Sequence, residues 1–231
     1  NMGAELGATT SIFPYDTHAA KYLRATDREA LAQLADNYGH LLSADPEVEA
    51  APEKYFDRVV EIDLDTLEPH VVGPHTPDLA RPISDLAQAV IKENYPDRLS
   101  AALIGSCTNS SYEDVSRAAS VAEQAAAHGL KAAVDLLVTP GSETVHATIQ
   151  RDGQMATLEG AGARVMANAC GPCIGQWKRP TITKGDVNSI VTSFNRNFPA
   201  RNDANPSTMN FIASPEMVMV FALSGRLSFN P

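Results

Sequence analysis

Strand-like and helix-like segments alternate over the second half of this chain, and the alternation restricts its fold more strongly than any other feature. Buried strands are predicted at 99–104, 132–138, 164–167 and 188–193. Helices are predicted at 112–128 after a Ser111 cap, from Ser142 to about residue 151, and from Ser214-Pro215 to the residue before Gly225. The pattern predicts a three-layer α/β/α domain with a mostly parallel sheet.

Each conspicuous polar loop in this half follows a predicted strand. The loops are residues 105–109, 139–142, 168–173 and 193–196. The carboxyl ends of parallel strands meet at one edge of a sheet, and ligands bind along that edge in open α/β folds. We therefore expect Cys107, Cys170 and Cys173 to meet the Asn195-Arg196 pair on one rim.

The first part of the chain is less regular. Its predicted elements are a helix from Thr26-Asp27 to Gly39, an acidic surface connection at 41–54, strands at 58–64 and 70–72, and a helix capped by Ser84. Three prolines suit residues 73–83 to a connector. We therefore expect residues 1–72 to end a preceding α/β domain, and residues 84–231 to form a second α/β domain that is truncated at its C-terminus.

Charge and cysteine content argue against several classes of protein. The formal net charge is −10, whereas a nucleic-acid or membrane-surface protein needs a basic face. Three cysteines in 231 residues do not resemble a disulfide framework and favour a reducing compartment. No apolar run reaches the roughly 20 residues of a membrane span. We expect a small-molecule ligand, with neither a nucleic-acid nor a membrane partner.

The three cysteines lie in two similar loops, which suggests one metal centre. A cubane iron–sulfur cluster normally takes four thiolates, and structural zinc takes four Cys or His ligands. A cluster held by only three thiolates leaves one iron open to act as a Lewis acid. Three alternatives remain open here. Cys170-Gly171-Pro172-Cys173 also has the spacing of a thioredoxin-like dithiol, a histidine from elsewhere could complete a zinc knuckle, and Cys107 could be an unpaired buried cysteine.

The loops after the predicted strands contain four longer motifs, which are Gly-Ser-Cys-Thr-Asn-Ser-Ser-Tyr-Glu-Asp at 105–114, Thr-Pro-Gly-Ser-Glu at 139–143, Asn-Ala-Cys-Gly-Pro-Cys-Ile-Gly-Gln-Trp at 168–177 and Asn-Arg-Asn-Phe-Pro-Ala-Arg-Asn-Asp at 195–203. These motifs resemble the aconitase family of hydratases, in its mitochondrial type. The opening Asn-Met-Gly-Ala-Glu-Leu-Gly-Ala-Thr-Thr is similar as well. The resemblance therefore runs from end to end.

This resemblance implies a [4Fe-4S] cluster held by Cys107, Cys170 and Cys173. It also implies that Arg196 and Arg201 bind substrate carboxylates, for which a guanidinium offers paired donors.

The resemblance assigns further roles to polar residues. Asn1 is implied in substrate binding, and Glu5 and Asn195 in the catalytic pocket, with Glu5 orienting the water or hydroxyl at the cluster. Outside the pocket, we expect Asn109, Ser142 and Asp203 to support the site or cap helices, and Lys178, Arg179 and Lys184 to be surface charges.

The implied reaction interconverts citrate and isocitrate through cis-aconitate. In the family, the catalytic base is a serine of a separate C-terminal domain, and acidic and histidine groups come from an N-terminal one. We therefore expect this chain to need those missing domains and to be inactive alone. The motif type suggests the mitochondrial matrix for a eukaryotic parent and the cytoplasm for a bacterial one.

Departures from the family pattern leave the substrate open. Pro199-Ala200 stands where Thr-Gly is usual, Met209-Asn210 where His-Ala is common, and Lys178 where Asp is usual. A paralogue acting on homocitrate or 2-methylcitrate is therefore an alternative. Two rivals belong to other classes: a Cys-Gly-Pro-Cys dithiol oxidoreductase, and a cluster-free RNA-binding regulator, which the acidic balance disfavours.

Overall fold

The structure is a computed structural model that describes residues 7–231. The predicted site residues Asn1 and Glu5 lie outside this range. Two compact units divide the described chain between Leu67 and Glu68. Across residues 7–231, no helix is both long enough and apolar enough to cross a membrane.

The first unit consists of short helices and irregular chain. Its helices are α1 (Thr17–Ala25), α2 (Glu29–Asn37) and α3 (Pro46–Ala50), with single 3-10 turns at Gly39–Leu41 and Pro52–Lys54. Arg24 of α1 forms ion pairs with Glu29 and Asp36 of α2. Helix α2 confirms most of the predicted helix, but it begins at Glu29 rather than near Thr26.

The predicted strand at 58–64 is wrong. These residues alternate apolar and acidic side chains, but they form no strand and pair with no neighbouring strand that the structure describes. Val60, Ile62 and Leu64 are instead exposed. Alternation suits a half-buried strand only where another strand supplies hydrogen bonds and a packing surface.

The second unit is built on a seven-stranded sheet. Its strands are β1 (His70–Val72), β2 (Ala80–Pro82), β3 (Leu99–Ile104), β4 (Asp135–Val138), β5 (Ala163–Val165), β6 (Asn188–Thr192) and β7 (Thr208–Ile212). They lie in the order β2-β1-β7-β6-β3-β4-β5. The strands β3 to β7 are parallel, and β1 and β2 are antiparallel at one edge. The predicted α/β class with a mostly parallel sheet is confirmed.

Four helices connect these strands and a fifth follows β7, and three of their predicted caps are confirmed. The helices are α4 (Ile83–Lys92), α5 (Tyr112–Ala127), α6 (Glu143–Arg151), α7 (Gln154–Gly160) and α8 (Pro215–Ser224). The side chains of Ser111, Ser142 and Ser214 accept backbone N–H bonds at the starts of α5, α6 and α8. The sequence did not predict α7, β2 or β7 as separate elements.

The predicted Ser84 cap of α4 is wrong. This helix begins at Ile83, so Ser84 lies within its first turn. Its backbone N–H and its hydroxyl both donate to the Glu68 carboxylate, at 3.1 and 2.8 Å. An acidic side chain from a distant part of the sequence therefore satisfies this helix start.

Residues 70–82, which cover most of the predicted connector, form a hairpin joined to the sheet. Val72 of β1 lies opposite Ala80 of β2 and opposite Ile212 of β7. The assignment of the preceding residues to the end of another α/β domain stays a prediction.

The sheet carries a different covering on each face. Ala102 and Ile104 of β3 join a large apolar cluster with buried residues of α4 to α8. Ala101 and Leu103, which alternate with them and therefore point the other way, join a small cluster with Cys173, Phe194 and the partly buried Trp177. Within residues 68–231, no α-helix contributes to this small cluster, so irregular chain covers the second face.

Candidate functional site

The order of the strands places a switch point between β3 and β6. From β3 the chain proceeds through β4 and β5 on one side, then returns to β6 and β7 on the other. The loops after β3 and β6 therefore lead to opposite halves of the sheet, and a topology of this kind is expected to place a crevice between them at the carboxyl edge. Open α/β sheets bind ligands at such a crevice.

Ser193 joins the two loops at this switch point. Gly105 donates its N–H to Ser193 Oγ at 3.0 Å, and the hydroxyl lies within hydrogen-bond distance of the Asn109 carbonyl, also at 3.0 Å. Asn109 Nδ2 in turn donates to the Ser193 carbonyl at 2.9 Å. Ser193 is fully buried. The sequence pattern predicts the loop but not a role for this serine, whose position directly after a buried strand is the signal that identifies it.

A second bond across the crevice involves the predicted pocket residue Asn195. Its Nδ2 donates to Thr108 Oγ1 at 2.8 Å, and the same Oγ1 lies 3.5 Å from Cys107 Sγ. The first cysteine is therefore held beside the loop that carries Asn195 and Arg196. Thr108 is a site residue that the sequence analysis did not identify.

The loop after β3 also approaches the loop after β4 very closely. A Cβ on Gly105 would lie 2.9 Å from Thr139 Cβ and 3.0 Å from the Thr139 carbonyl oxygen. Only glycine fits this contact without movement of the neighbouring loop.

The other two cysteines lie on one tight turn after β5. Cys170 precedes a 3-10 turn at Gly171–Ile174, and Cys173 donates its N–H to the Cys170 carbonyl at 2.6 Å. All three cysteines are free thiols; Cys107 and Cys170 are exposed, and Cys173 is 8% exposed. The three thiols therefore remain available as metal ligands.

Burial raises the pKa of the Cys173 thiol, and nearby Cys107 and Cys170 also act to raise it. A hydrogen bond with Ser106 and the positive charge of Arg201 oppose this rise. The electrostatic effects of both cysteines on Cys173 indicate that the three thiols are neighbours, as the carboxyl-edge argument predicts. The site also brings Arg201 close to Cys173.

The cysteine turn packs directly against the segment that carries Arg201. Asn202 Nδ2 donates to the Pro172 carbonyl at 3.0 Å. A Cβ on Gly175 would lie 3.5 Å from the Arg201 carbonyl oxygen, and Gly175 has φ +85°, which glycine adopts without strain. These contacts join the cysteine turn to the segment that follows the Asn195-Arg196 pair.

A tight turn delivers Arg201. Its N–H donates to the Phe198 carbonyl at 3.0 Å, with Pro199 and Ala200 at the corner. Ala200 has φ +61°, the conformation that the third residue of a type II turn requires and that glycine prefers. Arg201 Nε is buried without a hydrogen-bond acceptor among the described residues. A buried donor of this kind suits an anionic ligand.

Arg196 lies at the exposed end of the loop after β6. Its carbonyl accepts a bond from Asn210 Nδ2 at 3.4 Å, and Asn210 Oδ1 accepts from Thr192 Oγ1 at 3.0 Å. Asn210 is one of the residues at which the chain departs from the family pattern. It therefore touches the backbone of a predicted carboxylate-binding arginine.

The prediction that Arg179 is a surface charge is wrong. Only 7% of its side chain is exposed, and its guanidinium forms an ion pair with Asp203 at 3.1 Å. Lys178 and Lys184 are exposed, as predicted. The segment around Arg179 is neither helix nor strand, so it has no regular periodicity. The sequence therefore does not indicate that Arg179 is buried and Lys178 exposed.

The three cysteines fit a cluster better than a single ion. Among residues 7–231, no group of three or more His, Cys, Asp or Glu is arranged to hold one metal ion. In a cubane, each thiolate binds a different iron, so the three sulfurs need not converge on one point. Reduced cysteines on two adjoining loops, beside a buried arginine donor, are consistent with that arrangement.

Comparisons with known proteins identify the family. The profile of the Aconitase family (aconitate hydratase) matches residues 1–225. Proteins named "Aconitate hydratase, mitochondrial" are 58% identical in Candida albicans, 56% in Saccharomyces cerevisiae and 55% in Schizosaccharomyces pombe, over the whole of this chain. The chain spans 28–29% of the length of these relatives. On this evidence, the chain belongs to the aconitase family.

Proposed function

We propose that the chain is the cluster-binding segment of an aconitate hydratase, a hydro-lyase that interconverts citrate and isocitrate through cis-aconitate. The observation that carries this proposal is the contact between the cysteine turn and the Arg201 segment at the carboxyl edge. The relatives named as mitochondrial aconitate hydratases support it. They also support a location in the mitochondrial matrix.

Cys107, Cys170 and Cys173 would hold the cofactor, a [4Fe-4S] cluster. A cluster bound through three thiolates supplies an iron without a protein ligand, which acts as a Lewis acid toward a hydroxyl group. Cys107 is held beside Asn195 through Thr108, and Cys173 lies against Phe194 and Trp177. The chain thus offers a partly apolar floor and a polar rim for one cluster.

Arg201 and Arg196 would bind carboxylates of a tricarboxylate. Arg201 brings a buried donor and a positive charge close to Cys173. Arg196 presents its side chain at the exposed rim. Two guanidiniums can orient an anion by paired hydrogen bonds, although the chain as a whole is strongly acidic.

Turnover would require more than this chain. Dehydration of citrate removes a proton and a hydroxyl group, and rehydration returns them to give the isomer. We expect the proton to be taken by a base in the C-terminal domain of a longer enzyme, and acidic and histidine groups to come from its N-terminal domain, while this chain contributes Asn1 and Glu5. The chain alone should therefore bind the cluster but lack activity.

Activity assays on the longer enzyme that contains this segment test the substrate. We expect the largest kcat/KM with citrate, and smaller values with homocitrate and 2-methylcitrate. Arg201→Lys keeps the charge but loses the planar donor pair, so it should raise the KM for citrate about tenfold or more. Exposed Lys184→Met is the matched control. Citrate as the slowest of the three acids would contradict the assignment.

The dithiol oxidoreductase alternative has less support. A redox-active Cys-X-X-Cys needs a thiol with a lowered pKa, usually at the start of an α-helix. Here the motif leads into a single 3-10 turn at Gly171–Ile174, and no α-helix starts at it. Reduction of insulin by the chain would favour this alternative, and salt-dependent RNA binding would favour the regulator.

A further inference from the structure

Arg179 and Asp203 form a buried ion pair below the proposed cluster site. Their side chains are 7% and 3% exposed, and Arg179 Nη1 lies 3.1 Å from Asp203 Oδ2. The same Nη1 donates to Asn188 Oδ1 at 2.9 Å, and the guanidinium lies 4.6 Å from the centre of the Trp177 ring. The plane of the guanidinium is therefore fixed from several directions.

The carboxylate partner is equally constrained. Asp203 Oδ2 accepts from Thr208 Oγ1 at 2.8 Å, and Oδ1 accepts the Asn205 N–H at 3.1 Å. Asn188 begins β6 and Thr208 begins β7, and these two side chains also bond each other at 2.9 Å. The ion pair is thus anchored to the first residues of two paired parallel strands.

The two charges belong to the two segments that carry the proposed site. Arg179 continues the chain from the Cys170–Cys173 turn, and Asp203 follows closely after Arg201. The Asn202–Pro172 hydrogen bond joins the same two segments nearer the rim. The segments therefore run side by side, with one contact at the rim and one at the strand starts.

A buried ion pair adds little net stability over an apolar pair, because removing both charges from water offsets their attraction. It does fix direction, since a guanidinium bonds only in its plane and a carboxylate accepts only at defined positions. Direction matters here because irregular chain has no backbone hydrogen-bond ladder to set its path. This pair is suited to aligning two such segments.

We propose that Arg179 and Asp203 are positioning residues that hold the Cys170–Cys173 turn in register with Arg201. The spacing between the cluster ligands and a carboxylate-binding arginine then depends on this pair. The effect of this pair on substrate binding rests on the proposed function. The alignment of the cysteine turn with the Arg201 segment can be tested on the chain alone.

Alkylation of the cysteines in the cluster-free chain tests the alignment. Arg179→Lys keeps the charge and loses the planar geometry. We expect Cys173 to react with iodoacetamide about tenfold faster in this variant, with Cys107 changed less than about twofold, because only the turn is released. Arg151→Lys is the control, since Arg151 pairs with Asp152 on an exposed helix end. Peptide mass spectrometry reports each cysteine separately.

Two results would overturn the positioning role. One is an unchanged rate at Cys173, and the other is an equal acceleration of all three cysteines, which indicates general unfolding. If Arg179→Lys does not fold, Asp203→Asn gives the same test with an isosteric side chain and the same two deciding outcomes.

A second readout separates this inference from the proposed function. In the longer enzyme, Arg179→Lys should raise the KM for citrate more than it lowers kcat, and should accelerate iron loss. Failure of the proposed function appears as a wild-type chain that binds no iron, whatever the alkylation rates. Failure of the positioning role appears as equal alkylation in the variant and the wild type.

Discussion

The two faces of the sheet are built on different physical principles. One face packs against α4 to α8 through a large apolar cluster of mostly Ala, Val and Leu side chains. The other is covered by irregular segments around Cys173, Phe194 and Trp177, and specific polar bonds hold those segments. Stability on the first face comes from buried area, whereas geometry on the second comes from individual side chains.

The helical face therefore supplies most of the stability of the fold, whereas the irregular face carries the proposed cluster and substrate site. Regular helices tolerate conservative substitutions because their stability is distributed over many apolar contacts. The position of each segment on the irregular face depends on a few hydrogen bonds. A single substitution there should therefore change the geometry of the site strongly while changing the free energy of unfolding only slightly.

The largest effect on stability is expected from the helical face. Phe221 of α8 is fully buried in the large cluster, so Phe221→Ala should lower the free energy of unfolding by about 4 kcal/mol. Ile91 of α4 is 82% exposed, and Ile91→Ala should change it by less than about 0.5 kcal/mol. Urea denaturation measures both. The relative alkylation rates of the three cysteines should stay the same in folded Phe221→Ala; a selective change at Cys173 would mean that the two faces are coupled.

Gly105→Ala should lower the free energy of unfolding by about 2 kcal/mol, because the added methyl group collides with Thr139. Gly129→Ala is the control: its φ is +70° but its Cβ position is open, so only the backbone cost of about 1 kcal/mol applies. Cluster reconstitution should fail in the first variant and succeed in the second. Equal cluster yields would contradict the close approach of the two loops.

Asn202→Ala should lower the free energy of unfolding by about 1 kcal/mol, because the hydrogen bond to the Pro172 carbonyl is lost. Its effect on the site should be larger, with selectively faster alkylation of Cys173. Asn37→Ala, which removes an exposed acceptor for Gln33, serves as the control. A loss of stability without any change at Cys173 would show that this bond does not hold the turn.

The smallest effect is expected at Ala200, whose φ of +61° glycine adopts more easily. Ala200→Gly should raise the free energy of unfolding by roughly 0.5 kcal/mol, because relief of the left-handed strain exceeds the entropy cost of glycine. Ala126→Gly, inside α5, should instead lower it by about 1 kcal/mol. Thermal unfolding of both variants checks the opposite signs, and a loss of stability in Ala200→Gly would argue against strain at this turn.

Sequence reasoning succeeded where structure is periodic. The strands β3 and β6, the Ser111, Ser142 and Ser214 caps, and the shared carboxyl edge all follow from spacing and cap residues. It failed at Ser84, where a distant Glu68 carboxylate supplies the bonds, and at residues 58–64, where a strand pattern has no partner strand.

The irregular face gave no periodic signal to interpret. The burial of Arg179 depends on Asp203, Asn188 and Trp177, which are brought together only by the fold. Ser193 and Thr108 likewise acquire their role because β3 and β6 become neighbours. The three cysteines could be identified because their residue type is rare in this chain and because each of their two loops follows a predicted strand.

The central claim is that two loops at one sheet edge bind a single three-thiolate cluster. Anaerobic iron and sulfide analysis with EPR on the reconstituted chain tests it most directly. We predict about four irons and four sulfides per chain, a three-iron signal after mild oxidation that ferrous iron removes, and loss of that signal in Cys107→Ser. Bound zinc, a Cys170–Cys173 disulfide, or iron retained equally by Cys107→Ser would contradict the account.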